Sequence, residues 1–96
     1  MPHVPYHPSA LKRQRQNLKR RARNKAIKTR VRHAVRKALE AIQGSDPNAA
    51  EQALRQAARE LGKAASKGVI HKRTAARKLA RLSRRLHKAK QAAAGQ

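Results

Sequence analysis

Ninety-six residues with 26 Lys+Arg against 4 Asp+Glu carry a formal charge of +22, which leaves room for one small domain whose partner must be a polyanion. Leu, Ile, Val and Phe total fifteen, about 16% of the chain, a scarcity that with such charge marks disorder or order supplied by a partner. With no Phe, no Trp, one Tyr and no Cys, aromatic base-stacking platforms, disulfide frameworks and thiolate zinc sites are excluded, and no apolar run is long enough for a membrane span or a signal segment.

The expectation is a soluble, intracellular chain. Twenty Ala and many Lys and Arg favour helix over long windows, and the breakers are clustered. Pro2, Pro5 and Pro8 mark residues 1–8 as an N-terminal tail; His3 and His7 lie within it and are not read as metal ligands. The first helix is predicted over about 9–43. Its C-terminal half repeats Ile27, Val31, Ala34, Val35, Ala38 and Ile42 at helical spacing. Its N-terminal half has eight basic residues between Lys12 and Lys25, and Leu11, Leu18 and Ala22 there point away from that stripe. At about 50 Å against about 30 Å for its partners, this helix should overhang the bundle as a basic arm.

Gly44, Ser45, Asp46 and Pro47 form the first joint, with Gly44 as a closing C′ glycine, Asp46 as N-cap and Pro47 at N1. Glu51 adds negative charge near that N-terminus, where the helix dipole favours it. The second helix, predicted over 47–66, repeats Ala50, Ala53, Leu54, Ala57, Ala58, Leu61, Ala64 and Ala65; Gly62 inside it reads as a close-packing position. Lys67 and Gly68 form the second joint. The third helix, predicted over 71–91, steps through Ala75, Leu79, Leu82, Leu86 and Ala89, and 92–96 reads as a C-terminal tail. Three single apolar stripes joined by short turns predict an all-α fold: an antiparallel three-helix bundle with a long, basic, overhanging first helix.

All four acids, Glu40, Asp46, Glu51 and Glu60, fall within residues 40–60, so two basic helices flank a nearly neutral one. That segregation suggests a clamp inserted between phosphate backbones, whereas a merely solvated surface mixes both signs. Arg outnumbers Lys fifteen to eleven, which suits bidentate phosphate recognition. On the arm the candidate nucleic-acid ligands are Arg15, Arg20, Arg21 and Arg23, with Asn17 and Asn24 among them. On the third helix they are Lys72, Arg73, Arg77, Lys78, Arg81, Arg84 and Arg85.

Catalysis has no footing in this sequence. No pair of carboxylates is placed for acid–base work, and the serines Ser9, Ser45, Ser66 and Ser83 lack a nucleophile elbow. No glycine-rich loop cradles nucleotide phosphates. His33, His71 and His87 stand singly and read as phosphate contacts, helix caps or solvent-facing residues. No cofactor, metal or small-molecule substrate is expected.

The run Ala64-Ala65-Ser66-Lys67-Gly68-Val69-Ile70-His71-Lys72-Arg73-Thr74-Ala75-Ala76-Arg77-Lys78 closely resembles the signature of the bacterial small-subunit ribosomal protein twenty family. So do Ser9-Ala10-Leu11-Lys12-Arg13, Arg15-Gln16-Asn17, Arg20-Arg21, Arg23-Asn24 and Lys28-Thr29-Arg30-Val31-Arg32, in order and spacing over about residues 9–90. The sequence departs from the family in residues 1–8 and at Arg73, where Asn is more usual, and is only generically similar over 43–60. The resemblance implies a non-enzymatic three-helix bundle that binds small-subunit (16S) rRNA directly during assembly, in the cytoplasm, without membrane or homo-oligomeric partners; other small-subunit components are possible neighbours. It adds Lys12, Arg13, Lys28, Arg30, Arg32, Lys67, Gly68, His71 and Thr74 to the candidate RNA ligands. The alternative, a histone-like nucleoid DNA binder, would usually carry Lys/Pro/Ala tail repeats or a dimerisation sheet, and neither pattern is present. A cationic membrane-binding helix would need bulkier apolar faces than these alanine-rich ones.

Overall fold

The computed structural model describes residues 8–94, and these form three helices: α1 (Pro8–Gln43), α2 (Pro47–Ser66) and α3 (Lys72–Ala94). Residues 1–7, with His3 and His7, and residues 95–96 lie outside the described residues. Three ends differ from the sequence expectation, the smallest difference being that α3 starts at Lys72 and not at 71. Helix α1 already includes Pro8, whose fixed φ and missing N–H suit a first helical position. Helix α3 runs on to Ala94, because Gln91, Ala92, Ala93 and Ala94 are good helix formers with no breaker among them.

The turns are built by local chemistry. Asp46 caps α2 by accepting a hydrogen bond from the Asn48 N–H at 3.0 Å, with Pro47 opening the helix. At the other end Gly68 takes φ +73°; its N–H donates to the Ala65 carbonyl and that of Val69 to the Ala64 carbonyl, a Schellman closure. Val69 then packs against the apolar cluster containing Ala64. His71 starts α3 at Lys72: its Nδ1 accepts from the Arg73 N–H at 3.0 Å and its carbonyl from the Ala75 N–H. Gly44 is a correction. It does not use the left-handed region expected of a C′ glycine, and its N–H is shared between the Glu40 and Ala41 carbonyls, both at 3.1 Å.

The core lies in two layers. Ile27 and Val31 of α1 meet Leu61 and Ala64 of α2 and Ala75 of α3, beside the second turn. Ala34, Ala38 and Ile42 meet Ala50, Ala57, Leu82 and Leu86 toward the first turn. This pairing makes α1 and α3 both antiparallel to α2. Six of the twelve buried residues are Ala, so the helices approach closely around a small core. Val35, Leu54, Leu79 and Ala89 of the expected stripes are only half-buried. Among the described side chains of α1 Ile27 is the first that is buried, leaving residues 10–26, nearly five turns or roughly 26 Å, without a core of their own. Leu18 there is 59% exposed.

Gly62 is a second correction. It is exposed, and a Cβ built there meets nothing within 4 Å, so no neighbouring helix requires its smallness. Gly62→Ala is therefore expected to stabilise the bundle by about 0.5–1 kcal/mol, through a less flexible unfolded chain and better helix propensity. A thermal melt followed by far-ultraviolet circular dichroism checks this; a lowered midpoint would mean that the backbone there is constrained after all.

Candidate nucleic-acid interface

Successive side chains of α1 are about 100° apart, and this phase sorts its candidates. Arg13, Asn17, Arg20, Arg21, Asn24, Lys28 and Arg32 fall on one half of the helix, and Lys12, Arg15, Arg23 and Arg30 on the other. Arg13 and Arg20 continue the line of the core stripe into the overhang, where no helix covers them. Arg21, Asn24, Lys28 and Arg32 line a shallow cleft along α1 together with Lys25 and Thr29. Neither of the last two is among the expected ligands, although Lys25 follows Arg21 at a four-residue step that could have revealed it. The Thr29 hydroxyl donates to the Lys25 carbonyl at 2.9 Å, which leaves the cations and the Asn24 amide as the polar heads of the cleft.

Helix α2 packs broadly against both other helices, whereas α1 and α3 meet much less extensively. The resulting groove has Val35, Leu39 and Leu82 in its floor and Lys78, Arg81, Arg84 and Arg85 around it. It continues into a depression lined by Lys28, Val31, Arg32, Val35, Ile70 and Lys78. Lys28 and Arg32 of α1 and Lys78, Arg81, Arg84 and Arg85 of α3 thus lie along one face opposite α2, whereas Lys12, Arg15, Arg23 and Arg30 lie on the other half of α1. Arg77, Lys72 and Arg73 are exposed outside this groove and Thr74 is half-buried.

At the second turn Gly68, His71 and Lys72 line a further shallow pocket with Ala65, Val69 and Ile70, and Lys67 is exposed beside it. Because His71 Nδ1 accepts the Arg73 N–H, a neutral ring carries its proton on Nε2, the nitrogen left to donate to an outside group.

No carboxylate lines any of these surfaces. Among the described residues the single ion pair joins Lys90 of α3 to Glu51 of α2, and both side chains are 41% exposed. Its Lys90 hydrogen bond and charge, with a smaller contribution from Arg55, hold the Glu51 carboxyl below its ordinary value of 4.5. A carboxyl depressed in the folded state stabilises the fold above its unfolded value and loses that contribution as pH falls through the folded value. The chain should accordingly be less stable below about pH 4.5, and Glu51→Gln should flatten that part of the pH profile of the thermal midpoint. An unchanged acid slope in the variant would show that the pair contributes nothing. Among the described residues there is no cluster of metal-ligating side chains, no buried charged group and no helix long and apolar enough to cross a membrane.

The profile of a known family, Ribosomal protein S20, matches residues 5–87 of this sequence. The chain belongs to that family. The Small ribosomal subunit protein bS20 of Solidesulfovibrio magneticus is 54% identical over 86 residues, covering 90% of this chain and 97% of its own length. Those of an Anaeromyxobacter species (strain Fw109-5) and of Nitratidesulfovibrio vulgaris are 57% and 51% identical, covering 79% and 81% of this chain and 84% and 90% of theirs. As a member of the S20 family this is a structural ribosomal protein and not an enzyme. The family match spans the arm, both turns and α3 as far as His87, so every cationic surface described above lies on matched sequence.

Proposed function

We propose that the protein binds small-subunit (16S) rRNA directly, through phosphate contacts from the arm and from the shared face of α1 and α3, and so stabilises the folded RNA during assembly of the cytoplasmic small subunit. The candidate ligands are those predicted from sequence, joined by Lys25. One observation carries the reading: about five turns of α1 have no core to bury, yet they carry a ladder of cations that runs into an acid-free groove. Like charges at four-residue steps, such as Arg15 with Lys19 and Lys19 with Arg23, repel along an isolated helix. Phosphates relieve that repulsion, which couples ordering of the arm to RNA binding.

Phosphate-dominated binding releases counterions. Affinity for folded 16S rRNA should therefore fall with log salt at a slope of about −0.7 to −0.9 per phosphate neutralised. A filter-binding series across salt concentrations measures it, with a DNA duplex as competitor. A slope near zero, or equal affinity for the duplex, would contradict the proposal.

A further inference from the structure

We propose that the groove between α1 and α3 receives an unstacked RNA base, laid over Val35, Leu39 and Leu82 while the surrounding cations take its flanking phosphates. The inference rests on the RNA-binding reading and extends it from the backbone to a nucleotide.

The groove combines two chemistries. Its floor is aliphatic, and Val35 and Leu39 stay half-exposed there in a chain with few large apolar residues to spare. Apolar surface left open in this way gains from being covered. Its α3 edge is cationic, with Lys78, Arg81, Arg84 and Arg85, and Lys28 and Arg32 of α1 line the depression into which it continues. A nucleotide matches that arrangement, with its flat, weakly polar base over the strip, one phosphate along α3 and the next over the depression. Arginine planes at the rim can stack on the base where no aromatic side chain is present. The open volume is about 340 Å³, within the range of roughly 300–1,000 Å³ typical of small-ligand sites. A paired base within a duplex does not present its face, so the occupant is a bulged or looped nucleotide.

Charge favours RNA over a polypeptide occupant. An aliphatic peptide would cover the floor but leave the four cations of the α3 edge without counter-charge. Continuity favours it too. Lys28 and Arg32 line the cleft on α1 as well as the depression beside the groove, so a strand followed along the arm arrives at the floor.

Ultraviolet irradiation forms zero-length adducts between bases and nearby side chains. The full chain bound to a 16S rRNA transcript should yield nucleotide adducts on peptides spanning 35–39 or 78–85, identified by mass spectrometry. Leu39→Gln, which keeps helix propensity and adds no charge, should lose these adducts and weaken binding several-fold with an unchanged salt slope. Leu39→Met should restore both, and the helical signal of each variant shows that it is folded. Tight binding with adducts confined to the arm, and unchanged affinity for Leu39→Gln, would overturn the inference while leaving the RNA reading intact. No binding to the transcript at all would overturn both. Crosslinks in assembled small subunits that join the groove to another protein in place of a nucleotide would also overturn it.

Discussion

Leu61→Ala is expected to be the most damaging single truncation in the bundle, costing about 2–5 kcal/mol. Leu61 is 1% exposed and sits where α2 meets Ile27 and Val31 of α1 and Ala75 of α3. A small domain holds only about 5–15 kcal/mol of net stability, and half of this core is already Ala, so little remains to close around a cavity. At roughly 4–8 °C per kcal/mol for a chain of this size, the thermal midpoint should fall by about 10 °C or more. Leu82→Ala, at a residue 3% exposed, should come close to that loss, whereas Leu79→Ala should cost clearly less because Leu79 is half-buried. Equal losses at all three positions would contradict the packing described here. Any weakening of RNA binding in the Leu61 and Leu79 variants is expected to follow unfolding and to recover at lower temperature.

Charge reversal in the α1 cleft should do the opposite. Arg21→Glu and Arg32→Glu change side chains of the α1 cleft that no carboxylate neutralises among the described residues. Each should weaken rRNA binding by about 1.5–3 kcal/mol, the range for hydrogen bonds to charged groups, and reduce the salt slope by about one unit for each phosphate no longer neutralised. Arg21 lies beyond the first buried residue of α1, so Arg21→Glu should leave the thermal midpoint of the free chain nearly unchanged. Arg55→Glu and Arg59→Glu, on the exposed face of the nearly neutral α2, are the matched controls. If the controls impaired binding more than Arg21→Glu and Arg32→Glu, the surface opposite α2 could not be the RNA-binding face.

Much of the architecture was legible because its determinants act within a turn or two of helix. Asp46 before Pro47 announces the start of α2, and Gly68 announces its end, through hydrogen bonds that reach no more than six residues along the chain. The apolar periods at 27–42, 50–65 and 75–89 identify faces that the structure buries at least partly, since three- and four-residue steps return side chains to one side whatever they pack against. The overhang follows from the same arithmetic, because Leu11, Leu18 and Ala22 are out of phase with Ile27 and its successors. Local reasoning failed where a residue's role depends on what lies across from it. Gly62 reads as a close contact until the space beside it is found empty, and Gly44 reads as a left-handed cap until its backbone is seen.

By itself, then, the sequence determined the three helices, the faces they bury, the segregation of charge and the family, all properties of neighbours along one chain or of residues in order. Only the tertiary structure decided that Glu51 meets Lys90, 39 residues away. It also decided that Lys78, Arg81, Arg84 and Arg85 border a floor of Val35, Leu39 and Leu82, and that Lys78 meets Lys28 and Arg32 in the adjoining depression. The reason is rotational phase. Each helix fixes its side chains relative to one another, but how far α1 and α3 turn about their own axes is set by the fit of both against the alanine-rich seam of α2, and that fit exists only once all three are packed.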